Sequence, residues 1–275
     1  MIDATEELGA VAGKKPRVAV HKFSSCDGCQ LAFLNLGEAL LELGRVVEIV
    51  HFVEAGPVDA YADVDIAFIE GSVSTAHDAV RIKDIRERSR FLVTMGACAT
   101  SGGIQALRNL GNGGDWLESV YASPEYIDSL DQVSPISQHV SVDFELWGCP
   151  VNSRQIIAAV RSLLLGVPPV DANEKVCLEC KRNQTVCVMV TRQALCMGPA
   201  TRTGCGALCP SFGRACYGCY GPAENINGAA LAQWFAGLGA VSAEVADRFQ
   251  MIYSQSEALS ETAKDYRQRS GEDRD

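Results

Sequence analysis

Beginning at Arg17, short apolar runs rich in branched residues alternate with longer stretches whose apolar residues recur at helical spacing. Arg17–His21 (RVAVH) reads as a buried strand, and Gly28–Leu43 carries helical spacing through Leu31, Leu34, Leu40 and Leu41. Val46–Val53 is a second strand and Val64–Ile69 a third. Ala76–Arg88 follows as a charged helix with a solvent-facing side. Phe91–Met95 gives a fourth strand, Gly102–Arg108 a short helix, Val142–Trp147 a fifth strand and Ser153–Leu165 a further helix. Gly111–Ser137 is punctuated by Gly, Ser, Pro and Asp and reads as an elaborated loop.

Strands that alternate with crossover helices predict an α/β fold with a parallel sheet covered on both faces, and the flavodoxin-like order is the simplest arrangement for five of them. The pattern then stops. Pro168-Pro169 marks a boundary, and from Asp171 to Pro222 Cys, Gly and Pro dominate without sustained periodicity. Such a segment is expected to be organised by metal rather than by an apolar core of its own. Ile226–Phe249 regains helical spacing through Leu231, Trp234, Phe235 and Leu238, and the last twenty residues read as a charged, frayed or partner-dependent tail. The chain thus divides into a flavodoxin-like domain over residues 16–168, an irregular metal-binding domain over 169–222, and a C-terminal helix with a charged tail over 223–275.

The net charge of −10 argues against a nucleic-acid partner, which would call for a basic face. Leu31–Leu43 is interrupted by Asn35, Glu38 and Glu42, and Ile156–Leu165 by Arg161, so no membrane span is expected. Met1–Pro16 has acidic residues and no apolar h-region, and Lys14-Lys15 is not a twin arginine, which predicts a cytoplasmic chain. In reducing cytosol the 12 cysteines are then thiols available to metal rather than a disulfide framework.

The cysteines fall into sets. Cys26, Cys29, Cys98 and Cys149 each follow a strand-like run, so all four are expected at the carboxyl edge of one sheet, where ligands bind in open parallel sheets. Gly28 lets the Cys26–Cys29 loop turn tightly, and Cys149-Pro150 resembles the Cys-Pro that closes bacterial ferredoxin motifs. Cys177, Cys180, Cys187, Cys196, Cys205, Cys209, Cys216 and Cys219 crowd together further on, with a CxxC pair at each end. Splitting that run in the middle gives two more quartets, although spacing also allows interleaved pairing. Four thiolates serve one four-iron cluster, so the chain has ligands for three, and three in a row would carry electrons. Zinc in four-cysteine sites is the alternative.

At these residues the chain resembles the small subunit of nickel–iron hydrogenases, over roughly residues 16 to 222. The resemblance rests on CDGCQ (Cys26–Gln30), EGSV (Glu70–Val73), GACATSGGIQA (Gly96–Ala106), WGCPVN (Trp147–Asn152) and CMGPATRTGC (Cys196–Cys205). It implies an oxidoreductase component with no catalytic residue of its own. Three 4Fe-4S clusters would relay electrons between the nickel–iron site of a large-subunit partner and a cytoplasmic acceptor. Cys26, Cys29, Cys98 and Cys149 would bind the proximal cluster, Cys205, Cys209, Cys216 and Cys219 the medial one, and Cys177, Cys180, Cys187 and Cys196 the distal one.

Uptake enzymes of that family place His where Cys177 stands and Pro where Cys209 stands, and often carry Glu where this chain has Ser25. Cysteine at both positions implies three four-iron clusters, and the lack of a twin-arginine signal agrees with the cytoplasmic bidirectional subgroup, NADP-linked or sulfhydrogenase-like. Iron–sulfur and flavin, NAD(P)-binding electron-transfer subunits would be its further partners. The competing readings are the small iron–sulfur subunit of a related quinone oxidoreductase, which would not need the eight later cysteines, and a zinc-binding structural module. His21, His51, His77 and His139 are scattered and read as packing or surface residues. Glu70, at the end of strand three, reads as a carboxylate that orients a loop through backbone N–H groups.

Overall fold

A computed structural model describes residues 14–272. Residues 1–13, most of the stretch read for a targeting signal, and residues 273–275 of the charged tail lie outside the described residues. The chain begins with β1 (Arg17–Lys22), α1 (Gly28–Leu34), α2 (Glu38–Val46), β2 (Glu48–Phe52), β3 (Val64–Glu70), α3 (Ala76–Glu87) and β4 (Ser89–Met95). There follow α4 (Gly96–Ser101), a 3₁₀ turn over Gly103–Leu110, α5 (Gly113–Val120), β5 (Phe144–Leu146) and α6 (Ser153–Leu164).

The five strands form one sheet in the order β2-β1-β3-β4-β5, and every paired neighbour is parallel, the predicted flavodoxin-like arrangement. Alternation along the strands divides the core in two. Val18, Val20, Ile66, Phe68, Val93 and Met95 meet Phe33 of α1 and the Ile156, Ala159, Val160 and Leu163 stripe of α6. Ala19, Ala67, Ile69 and Leu92 turn to the other face, against Ile82 and Ile85 of α3. The α6 stripe follows i, i+3, i+4, i+7 spacing, and each large aliphatic in it contributes about 1.5–3 kcal/mol by leaving water. A capping box between Asn152 and Gln155 starts that helix.

The helix expected over Gly28–Leu43 is two helices, interrupted where Gly37 adopts a φ of 59°. The loop expected over Gly111–Ser137 contains α5, started by the Asn112 side chain accepting from Gly114 N.

The second region departs further from expectation. It contains α7 (Cys177–Arg182), α8 (Val188–Arg192), α9 (Leu208–Ser211), α10 (Gly228–Gly237), α11 (Ser242–Gln250) and α12 (Glu257–Glu272). Instead of one C-terminal helix there are three, and most of the charged tail is the last of them. Leu259, Ala263 and Tyr266 lie at i, i+4, i+7 on α12 and are buried, which holds a helix whose other faces are charged.

The cysteine-rich segment does share an apolar core. Val176, Val188, Met197, Ala200 and Ala207 pack in one cluster with Leu231, Phe235, Val245, Phe249, Tyr253, Leu259 and Tyr266. The boundary drawn at residue 222 falls inside this cluster. Ala97 of α4 joins the same cluster, and Trp147 packs on it from the end of β5. The Trp147 ring stacks on Tyr253 at 5.5 Å between centroids, and the Arg202 guanidinium sits 4.4 Å from the Trp147 ring centre.

Candidate metal centres

The loop after β1 carries Cys26 and Cys29, and its shape is set by charge. Asp27, at a φ of 64°, is held by Lys22, whose Nζ lies 2.6 Å from Oδ2. Glu70, buried at the end of β3, accepts from the N–H of Cys29 at 2.9 Å and of Gln30 at 3.3 Å. This is the orienting role expected for it. Burial raises the Glu70 carboxyl pKa, and those two amides together with the Gln30 side chain oppose the rise.

Cys98 rides on α4, directly after β4, and Cys149 follows β5. Ala97 donates to Gly148 O at 2.7 Å and ties those two loops together. Two glycines leave room for sulfur. A Cβ on Gly96 (φ +83°) would run into Cys29 Sγ, and one on Gly103 (φ +61°) would lie 2.7 Å from Cys98 Sγ. Both positions have left-handed backbone as well, so any side chain there is excluded twice over.

The four thiols face one another. Cys29 lies within electrostatic reach of Cys98 and Cys149, Cys98 of Cys149 and Cys26, and Cys149 of Cys26. Burial, then these neighbours, pushes the Cys98 thiol up to about 12, and Cys29 rises for the same reasons.

The later eight thiols also have cysteine neighbours. Cys177 and Cys180 sit on α7, Cys187 caps α8, and Cys177 and Cys180 each feel Cys187 and Cys196. A Cβ on Gly198 would stand 3.3 Å from Cys177 Sγ and 3.4 Å from Cys196 Sγ, so those two sulfurs flank one glycine. Cys219 feels Cys205 and Cys209, and Cys216 feels Cys219. Cys205, Cys209, Cys216 and Cys219 line one cavity of about 340 Å³ together with Cys149. Burial first, then neighbouring thiols, moves Cys180 to about 11 and Cys219 to about 12. Burial also moves Cys216 to about 12, against the Gly218 amide and the Thr201 hydroxyl.

The three neighbourhoods also touch end to end. Cys219 lies within reach of Cys149, Cys180 within reach of Cys205, and the Cys216 N–H donates to Cys196 Sγ at 3.2 Å. Among the described residues, no three Cys, His, Asp or Glu side chains converge at the spacing a single metal ion requires. The donor set is all sulfur, and Cys205, Cys209, Cys216 and Cys219 stand around open space, which suits a polynuclear group there better than one tetrahedral ion.

Sequence reasoning missed Glu179. It lies between Cys177 and Cys180, and its carboxylate accepts from Gly204 N at 2.9 Å and Ala207 N at 3.0 Å. The signal was a carboxylate inside a CxxC motif. The histidines are not all scattered in space: His21 and His51 stack at 4.6 Å between ring centroids, both buried. His77 is exposed, and His139 meets Ser134 Oγ at 2.7 Å.

Comparison with known proteins decides the family. Residues 26–163 match the family model described as NADH ubiquinone oxidoreductase, 20 Kd subunit. The chain belongs to that family. Within it, the sulfhydrogenase 2 subunit delta of Pyrococcus furiosus is 35% identical over 211 residues, covering 77% of this chain and 88% of that protein. A subunit of the F420-non-reducing hydrogenase vhu of Methanocaldococcus jannaschii is 31% identical over 267 residues, covering 86% and 93%. A chain of an NAD+-reducing [NiFe]-hydrogenase, solved in the H2-reduced state, is 29% identical with a TM-score of 0.53, covering 57% of this chain and 96% of that one. The protein is thus an electron-transfer small subunit of the nickel–iron hydrogenase type, an oxidoreductase component, a reading these relatives favour over the quinone-oxidoreductase and zinc alternatives. No helix among the described residues is long and apolar enough to cross a membrane.

Proposed function

We propose that the chain relays electrons through three 4Fe-4S clusters between the nickel–iron site of a large subunit and a cytoplasmic acceptor module. Cys26, Cys29, Cys98 and Cys149 would hold the proximal cluster. Cys205, Cys209, Cys216 and Cys219 would hold the medial one, and Cys177, Cys180, Cys187 and Cys196 the distal one. The succession of sulfurs supports the reading: Cys149 lines the same cavity as Cys219, and Cys180 lies within electrostatic reach of Cys205, so the proposed quartets would follow one another. When bound, such clusters supply one-electron oxidation and reduction.

The protein's own part is to hold deprotonated thiols in low-dielectric pockets. Burial raises the Cys180 thiol to about 11 and the Cys98 thiol to about 12, so binding of a metal there would be coupled to loss of their protons. All twelve cysteines are free of disulfides, which supports placement in a reducing cytoplasm.

The subgroup is proposed as sulfhydrogenase-like or NADP-linked. Relatives of the sulfhydrogenase and F420-non-reducing kinds span 77% and 86% of this chain, whereas the NAD+-reducing structure spans 57%. The acceptor side is proposed at Cys187, which is exposed, as are Val186 and Val190 near it in sequence. From Lys181 to Ala223 the chain carries Lys181, Arg182, Arg192, Arg202 and Arg214 and no carboxylate, within a chain of net charge −10, although Arg182 pairs with Glu174 and Arg202 with Asp171. The excess of cations in this segment suits an acidic iron–sulfur or flavin, NAD(P)-binding electron-transfer subunit.

Iron and acid-labile sulfide on anaerobically purified protein test the reading, and stoichiometric zinc or a single cluster per chain would overturn it. In the assembled enzyme, Cys98→Ser should abolish hydrogen-driven acceptor reduction while hydrogen–deuterium exchange at the large subunit persists. Acceptor reduction near the wild-type rate in that variant would refute the proximal assignment.

A further inference from the structure

Glu179 belongs by sequence to the distal cysteines and by its contacts to the medial ones. It lies on α7 between Cys177 and Cys180, and its side chain leaves that site. Oε1 accepts from Gly204 N at 2.9 Å, and Oε2 accepts from Ala207 N at 3.0 Å while standing 3.9 Å from Cys205 Sγ. The two amides flank Cys205 on either side. The loop they belong to is unusual: Gly204 has a φ of 130°, Gly206 of 68°, and Ala207 of 55° without being glycine. A non-glycine residue in that region is held by its surroundings, and here the surroundings include a carboxylate across two backbone donors. Glu70 does the same for the Cys29 loop. The two carboxylates differ in one respect. Glu70 comes from a strand of the domain whose thiols it serves, whereas Glu179 comes from the neighbouring quartet.

We infer that Glu179 is a positioning residue that locks the medial Cys205 loop to the distal helix and places a fixed negative charge beside the medial site. Through it the geometry of one quartet depends on the other, and the medial site is held harder to reduce than its thiolates alone would make it. The electrostatic half of the inference rests on the relay reading above. The clamp on the loop does not.

The experiment uses the assembled enzyme with Glu179→Gln, Glu179→Ala and Glu179→Asp, comparing amide exchange, iron content and redox titration of each cluster's paramagnetic signal. Glu179→Gln loses the charge and keeps one acceptor oxygen, which can hold one of the two amides. It should load iron as wild type does and raise the reduced-to-oxidised ratio of the medial site, at the wild-type midpoint, by roughly tenfold, which is about 59 mV for a one-electron couple. The proximal midpoint should stay where it was. Glu179→Ala should speed exchange at Gly204 and Ala207 by roughly tenfold or more and lower medial cluster occupancy, and Glu179→Asp should recover part of both.

A medial midpoint unmoved in Glu179→Gln, or moved together with the proximal one, would overturn the electrostatic role. Unchanged exchange at Gly204 and Ala207 in Glu179→Ala would overturn the clamp. If the wild-type protein held colourless metal instead, the relay reading and the charge effect would both fall, and exchange at the two amides would still decide the clamp.

Discussion

In the α/β domain Cys26, Cys98 and Cys149 stand at the rim of the core and Cys29 alone is buried in it. In the second region two thiols, Cys196 and Cys216, are buried in the core. Cys98 and Cys149 follow β4 and β5, whose apolar alternation would pack against α1, α3 and α6 whatever ended the strands. Cys196 and Cys216, by contrast, are buried in the same cluster as Phe235 and Phe249. The first region uses its regular structure to place the thiols at one edge. The second gathers single apolar residues from short helices and loops, and closes them under three C-terminal helices. Loss of metal should therefore leave the first region folded and loosen the second.

The comparison is tested most severely by equal injuries on the two sides. Phe68→Ala in the sheet and Phe249→Ala under the cysteine segment each remove a fully buried ring and should cost about 3–5 kcal/mol. Limited proteolysis of Phe249→Ala should cut the 171–222 segment first and leave residues 17–164 protected. Coincident loss of both regions would show that they unfold as one.

A smaller effect, confined to one site, comes from the glycines. Gly103→Ala places a Cβ against Cys98 Sγ in left-handed backbone and should cost about 1–3 kcal/mol. It should also lower iron content by one quartet's share while the later eight cysteines load normally, as metal analysis would read.

Acidification should act on the sheet first. Burial, reinforced by His51 and Arg81, lowers His21 from 6.5 to about 3. Below 6.5 the unfolded chain binds a proton that the folded chain refuses. The stability that a neutral His21 provides is thus complete above 6.5 and drains away as pH falls toward 3, with a slope of up to about 1.4 kcal/mol per pH unit. Denaturant titrations of wild type and His21→Leu across that window should diverge, the variant showing the flatter profile. Parallel profiles would remove His21 from the account.

The smallest effect separates charge from burial on α12. Asp265→Asn breaks an exposed pair with Arg269, 2.8 Å apart, and should change stability by less than about 0.5 kcal/mol. Tyr266→Ala, one residue along, removes a buried ring and should cost about 3 kcal/mol. Comparable values for the two would mean that the tail is held by its charges.

Strands and their order were readable because each is a compact apolar run, and in a parallel sheet covered on both faces that pattern has few rivals. The meeting of Cys98 with Cys149 was readable for the same reason, since both follow strands that the fold places side by side. The core of the second region was not. It takes Val176, Val188, Met197, Ala200 and Ala207 from segments with no period, and such contributions leave no trace in a window of sequence. The α12 helix was hidden by composition: three buried positions in a charged segment fall below what periodicity detects. His21 and His51 read as scattered because their contact depends on the register between β2 and β1, which no local pattern expresses. The role of Glu70 was legible because the carboxylate ends a strand at the cysteine edge. That of Glu179 was not, because its partners belong to a loop whose path only the whole fold determines.

The burial of Ala97 and Trp147 against the second region sets a timetable. Synthesis delivers the α/β domain first, and its sheet is complete once β5 and α6 have emerged. The eight later thiols appear next, but the helices that shelter them come last, several seconds later at roughly 5–20 residues per second. During that interval the newborn chain presents reactive sulfur on a surface already bearing Ala97 and Trp147. Whatever fills those sites would then meet a finished platform and an unfinished lid. The shelter over these thiols is complete only when Tyr266 seats, so the way in is widest before α12 folds.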